Sequence, residues 1–122
     1  MIKNVKISQE YDYEYDIFDI DVEKDYKYDI SVKLDEGLIL DFDKNNVPVS
    51  LEIMDASKIT NIDKKHLKNA DVEVHILIKD NIIAVIIKFT YSIHIKSIDV
   101  SIEKDVINKY NIPEINAILA ST

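Results

Sequence analysis

The stretch Asp71-Val72-Glu73-Val74-His75-Ile76-Leu77-Ile78-Lys79-Asp80-Asn81-Ile82-Ile83-Ala84-Val85-Ile86-Ile87-Lys88-Phe89 decides the fold. Two β-branched runs flank Asp80-Asn81, a pair that tolerates the left-handed backbone of a two-residue hairpin turn. That turn fixes the register. Ile78 faces Ile83, Ile76 faces Val85, Val74 faces Ile87 and Val72 faces Phe89. Glu73 then falls opposite Lys88, an opposite-charge cross-strand pair. The hairpin has one apolar face, and its back carries His75, Leu77, Ile82, Ala84 and Ile86. Such a back is too apolar for free solvent and calls for a cover, either the C-terminal segment or a second subunit.

Working toward the C-terminus, a third strand fits the same pattern, with Ile98 facing Phe89, Asp99 facing Lys88 and Val100 facing Ile87. Its connection, Tyr91–Lys96, is poor turn chemistry. Pro113 suits the first turn of a helix, and Ile115, Ile118 and Leu119 recur at helical spacing, so a C-terminal helix packing on the sheet is expected.

Working toward the N-terminus, residues 55–70 are the least regular, with Asp63 placed to cap a short helix through Asn69. Leu38, Leu40 and Phe42 form one face of a hairpin with Ile53, Leu51 and Val49, joined by a loop at Lys44–Val47; Asn45-Asn46 suits the loop and Pro48 a strand start. Tyr26, Tyr28, Ile30, Val32 and Leu34 alternate in another strand that ends at Asp35-Glu36-Gly37, where the single glycine can supply a positive φ. Tyr11, Tyr13, Tyr15 and Ile17 are apolar at odd positions, and Phe18, Ile20 and Val22 at even ones. The phase change predicts a β-bulge near Ile17–Phe18. The fold class expected is α+β, mainly β, with about seven antiparallel strands in meanders and hairpins and one or two short helices. The 122 residues read as one domain, an acidic β half at 10–58 and a second β-meander with a C-terminal helix at 59–122.

Composition narrows the chemistry. The chain carries a net charge of −8, has no Cys, one Gly and no Arg among its fifteen basic residues. Disulfides, thiolate catalysis and cysteine zinc sites are excluded. So are glycine-rich phosphate loops. An acidic chain without a bidentate guanidinium is not expected to bind nucleic acid. The longest apolar run, Ile82 to Ile87, is too short to span a membrane, and Met1–Ser8 carries no apolar run of signal-peptide length, so a cytoplasmic protein is expected. The charge is uneven. Residues 1–52 hold fourteen acids against six lysines, and the rest holds nine against nine.

The acidic half resembles a known family. Tyr11-Asp12, Asp16, Phe18 and Ile20, then Asp41-Phe42-Asp43, then Glu52-Ile53-Met54-Asp55-Ala56-Ser57 resemble the prokaryotic domain of unknown function 2283 over residues 10–58. Two positions depart from its pattern. Asn46 stands where the family has its turn glycine, and Ser50 stands where it has the glycine before Glu. The remainder of the chain is similar to the extension of longer versions in methane-producing archaea. The family has no established activity, so the resemblance assigns no catalytic residue. Some short members are encoded beside small toxin-like proteins, so the resemblance implies an antitoxin-like partner role.

The candidate site is acidic. Asp41-x-Asp43-x-Asn45-Asn46 with Glu52 at position twelve has calcium-loop spacing, but both flanks alternate with period two, where an EF-hand needs helices. Asp12, Glu14 and Asp16 are expected on one strand face, and Asp41, Asp43 and Glu52 on another. If the strands are neighbours, Asp12, Asp16, Asp41, Asp43 and Glu52 converge as candidate ligands for Ca²⁺ or Mg²⁺, or as a face for a basic protein partner. A solvated acidic face is the simpler reading, and a small metal-dependent enzyme using the same carboxylates the rival one. Tyr11, Tyr13, Tyr15, Tyr26 and Tyr28 form an aromatic stripe, expected to pack in the core with hydroxyls at the rim, with a protein-binding surface as the alternative reading. His66, His75 and His94 are dispersed, and His75 reads as a packed or capped residue. The functional expectation is a non-enzymatic binding module that forms a homo-oligomer, a dimer, through apolar sheet surface.

Overall fold

A computed structural model describes residues 2–121, without the side chain of Tyr28. The elements run β1 (Lys3–Asp12), β2 (Ile17–Val22), β3 (Tyr28–Asp35), β4 (Leu38–Asp43), β5 (Pro48–Ile53), α1 (Ala56–Thr60), α2 (Lys64–Leu67), β6 (Asp71–Lys79), β7 (Ile82–Ile93), β8 (Lys96–Ile107) and β9 (Ile115–Ala120). All nine strands join one curled sheet in the order β3-β4-β5-β2-β1-β9-β6-β7-β8. Its two edges, β3 and β8, come together without pairing, and Lys104 Nζ reaches Asp35 Oδ2 at 2.7 Å across the seam. The fold is mainly β as expected, with two more strands than the expected seven and a mixed rather than purely antiparallel sheet.

The hairpin of β6 and β7 forms in the register that the Asp80-Asn81 turn dictates, from Asp71 opposite Thr90 to Lys79 opposite Ile82. Both turn residues have positive φ. The turn at Gly37 also forms, with φ 71°. A Cβ there would stand 3.2 Å from the Met54 Cβ, so the glycine answers both backbone and space. The hairpin of β4 and β5 keeps Leu38 opposite Ile53 and Leu40 opposite Leu51, but Phe42 faces Pro48 across an irregularity. Pro48 lacks an N–H, and the bulge turns both Pro48 and Val49 inward. Asn46 takes the left-handed conformation, φ 61°, that glycine would favour. The helical segment Lys64–Leu67 starts after Asp63 as expected and is shorter.

Four expectations are corrected. The C-terminal segment is a strand, not a helix. β9 lies between β1 and β6, parallel to the first and antiparallel to the second, with Ala117 and Leu119 buried. Alternation puts Ile115, Ala117 and Leu119 on the core face and Ile118 on the other, and the two flanking edges supply partners for the backbone N–H and C=O groups. It therefore extends the sheet and leaves the back of the β6–β7 hairpin uncovered. Second, β8 pairs two residues further along than expected, with Phe89 opposite Val100 and Ile87 opposite Ile102. His94-Ile95 forms a two-residue turn with His94 at φ 57°. A two-residue slip keeps every side chain on its face, so alternation could not exclude it. Third, the phase change near Ile17 is a chain reversal and not a bulge. Tyr13–Asp16 is a turn between β1 and β2, and Asp12 faces Ile17 across it. Fourth, the tyrosine stripe is not a core stripe. Tyr11 is half-buried, Tyr13, Tyr15 and Tyr26 are exposed, and Tyr28 lies outside the described side chains.

One apolar cluster fills the concave side. Ile7, Phe18, Ile20, Leu40, Phe42 and Leu51 from the first half meet Val74, Ile76, Val85, Ile87, Phe89 and Leu119 from the second. Phe18 and Phe89 join the halves edge-to-face, their ring centres 5.2 Å apart. Ala56, Ile62, Leu67 and Ala70 of the helical segment add to the same cluster.

Candidate functional site

Alternation sends every second residue of β1, β2, β5 and β4 to the convex side. Pairing then lines up carboxylates across strands. Glu10 of β1 faces Asp19 of β2, which faces Glu52 of β5. In the adjacent rung Ser8 faces Asp21, Asp21 faces Ser50 and Ser50 faces Asp41. No lysine of the described residues enters these rungs between β1 and β4. Lys6 and Lys33, at the margins, are paired with Glu23 at 3.8 Å and Glu36 at 2.7 Å.

The electrostatic consequence concentrates at Asp19. Partial burial on the sheet pushes its carboxyl up to about 6, and Glu52, Asp21, Glu10 and Asp12 push the same way. Like charges directly across a ladder repel, and these rungs hold no lysine among the described residues to offset them.

The five carboxylates singled out from the sequence divide by role. Asp41 and Glu52 lie on the convex face, as expected. Asp41 accepts hydrogen bonds from Ser31 Oγ at 2.6 Å and Ser50 Oγ at 2.9 Å, which ties β4 to both neighbours. Ser50, at the position where the resembled family has glycine, thus acquires a partner for its side chain. Asp12 and Asp43 organise turns. Asp12 Oδ1 accepts from Tyr15 N at 3.0 Å, and Asp43 Oδ1 accepts from Asn45 N at 2.8 Å and Val47 N at 3.0 Å. The calcium-loop spacing is therefore a hairpin turn, with Glu52 opposite Ile39 and Asp19 rather than closing a loop.

Asp16 does not join the others. It is buried at a positive φ of 58° and accepts from Tyr11 OH at 2.6 Å, Ser57 Oγ at 2.6 Å and Ser57 N at 2.9 Å. Its carbonyl accepts from Ala56 N at 2.9 Å. Burial raises its carboxyl, but the bonds from Ser57 and Tyr11, with the Lys64 charge, outweigh that and hold it below the ordinary range. Burial and Asp16 together push the Tyr11 hydroxyl up. Tyr11, Asp16 and Ser57 form a clasp that fastens the β1–β2 turn to the start of α1.

The convergence of Asp12, Asp16, Asp41, Asp43 and Glu52 on one centre does not form. Asp16 turns inward, and Asp12 and Asp43 are spent on opposite ends of the strands. Among the described residues, no group of three or more His, Asp or Glu side chains is arranged to hold a metal ion. Sequence reasoning missed Glu10, Asp19 and Asp21, which the β1–β2 register brings onto the face. Their signal was the alternation of acids through Glu10–Asp21, legible only once the turn at 13–16 is recognised. His75 is capped as expected, its Nε2 2.7 Å from Asn116 Oδ1, and His66 stacks on Tyr91.

No described helix is long and apolar enough to cross a membrane. No curated protein and no solved structure matches the chain. Residues 9–57, which hold β1 from Gln9 through the Ser57 end of the clasp, match the family described as "Protein of unknown function (DUF2283)".

Proposed function

We propose that the protein is a non-enzymatic, cytoplasmic binding module whose convex acidic face, on β1, β2, β5 and β4, takes a basic protein partner. The reading rests on the rung Glu10–Asp19–Glu52, three carboxylates abreast with no cation between them. Such a face is destabilised by its own repulsion, and a lysine- or arginine-rich surface laid on it would relieve that repulsion while gaining charge-assisted hydrogen bonds. A convex strand face suits a macromolecule better than a small substrate, which needs a concave pocket with convergent polar groups.

The test is titration of the protein with a short oligolysine peptide at low and high salt. Binding is expected at low salt, with loss at high salt and in the combined variant Glu10→Gln, Asp19→Asn, Glu52→Gln. No binding by the wild type, or equal binding by the variant, would overturn the reading. Thermal stabilisation by millimolar Ca²⁺ or Mg²⁺ that the same variant loses would instead favour a cation as the ligand.

A further inference from the structure

The other half of the sheet has a convex face of different chemistry. Leu77, Ile82 and Ile86 are 40%, 38% and 39% exposed, and Ile107 is 65% exposed. The pairing makes them contiguous. One rung reads Lys79–Ile82–Ile107, the next Leu77–Ala84–Asp105, and the third His75–Ile86–Glu103. β9 widens the patch, with Asn116 beside Leu77 and Ile118 beside His75. The apolar centre thus lies along β7, with Lys79 and His75 on its β6 flank and Asp105 and Glu103 on its β8 flank.

We propose that this face is a homodimer interface, covered by the same face of a second copy about a two-fold axis running along β7. The flanking charges select both the occupant and the axis. Two sheets packed face to face keep their strands within about 30° of each other. Rotation about an axis along β7 lays β6 of each copy over β8 of the other. Each rung stays level, so His75 lies over the partner copy's Glu103, and Lys79 lies over its Ile107, one rung from Asp105 and within reach of that carboxylate along its long side chain. Rotation about an axis across the strands would instead stack β8 on β8 and set Asp105 and Glu103 against one another. Edge-to-edge pairing through β8 about Ser101 is opposed in the same way, because Asp99 would stand opposite Glu103. A patch with Lys79 on one side and the carboxylates of Asp105 and Glu103 on the other is self-complementary only under the first rotation.

The patch spans four strands and about three to four rungs, roughly 20 Å on a side. That is at the small end for a specific interface, so micromolar association is expected. The acidic face proposed for a basic partner lies on the other half of the sheet and stays open in this dimer.

Sedimentation velocity from about 1 to about 100 µM tests the proposal. The wild type should shift from monomer to dimer over that range. Ile86→Asp should raise the dimer dissociation constant at least about thirty-fold. Lys79→Glu and Asp105→Lys should each be monomeric alone, because each homodimer then sets like charges together twice. Mixed, they should form a heterodimer, because both contacts become complementary again. Both substitutions are on exposed positions, and a circular-dichroism melt confirms folding before either is run. A wild type that stays monomeric, an Ile86→Asp protein that dimerises normally, or a Lys79→Glu and Asp105→Lys mixture that stays monomeric each overturns the proposal. Oligolysine binding reports separately on the acidic face.

Discussion

Replacing Asp19 with Asn should stabilise the protein. Asp19 stands between Glu10 and Glu52 on the convex face, and its carboxyl is raised from 3.8 to about 6. A raised carboxylate takes up a proton in the folded state before it does in the unfolded chain. Between about pH 4 and pH 6 the folded state therefore binds more protons, and stability falls as pH rises through that window. Above about pH 6 the full penalty is present, and below about pH 4 it is gone. Two pKa units correspond to about 3 kcal/mol. Asp19 is only half-buried, so solvent screening reduces that figure, and about 1 kcal/mol is the expected gain at neutral pH. For a chain of this length that is an increase of about 4 °C in melting temperature. Differential scanning calorimetry of both proteins at about pH 4, 6 and 8 checks it. The gain should be near zero at the lowest pH and largest at the highest, and added salt should shrink it. A gain that does not vary with pH would refute the electrostatic origin, and a loss at pH 8 would show that the Asp19 carboxylate is held by partners and not repelled.

Asp16→Asn tests the opposite kind of carboxylate. Asparagine keeps the positive φ but weakens the bonds from Tyr11 and Ser57, and a loss of about 1–3 kcal/mol is expected by urea unfolding near neutral pH. Because the folded carboxyl is held low, its contribution is present above the unfolded value near 3.9 and fades as pH falls through the folded one, so the difference between the two proteins should narrow as the pH is taken below the unfolded value. Leu119→Ala should cost about 2–5 kcal/mol in the same assay, since Leu119 is fully buried in a strand at the middle of the sheet. A cost under about 1 kcal/mol would mean that β9 is peripheral.

What the sequence made legible was local. The β6–β7 hairpin follows from a two-residue turn and β-branched flanks, and Gly37 and Asn46 announce their own turns. Long-range pairing was not legible. Nothing in Ile115–Ala120 says that it enters between β1 and β6, because a parallel neighbour more than a hundred residues away leaves no turn signal. The β8 register failed for the same kind of reason. His94-Ile95 lacks turn chemistry, and a slip of two residues costs the alternation nothing. The candidate site was half visible. Asp41 and Glu52 were found on the correct face by period-two counting. Asp16 looked like a third member of a charged strand face, and it is instead the anchor of a clasp whose other ends are Tyr11 and Ser57.

The distribution of charge has a physical logic that net charge hides. Both halves of the sheet send apolar residues to one shared core, so their concave sides are alike. Their convex sides are free to differ, and they do. On β1, β2, β5 and β4 the outward positions are Glu10, Asp19, Asp21, Asp41 and Glu52, and on β6, β7 and β8 they include Leu77, Ile82, Ile86 and Ile107. A single uniformly acidic surface would oppose self-association everywhere through like-charge repulsion. Confining the excess to one half removes that barrier from the other. A dimer joined through the apolar half would then carry two acidic faces. For a partner with two basic segments, the second contact would be intramolecular, so avidity would exceed the affinity of either face alone. Comparing oligolysine peptides with one and two basic blocks on wild type and Ile86→Asp would isolate that effect: the two-block advantage should vanish in the monomeric variant while one-block binding is unchanged.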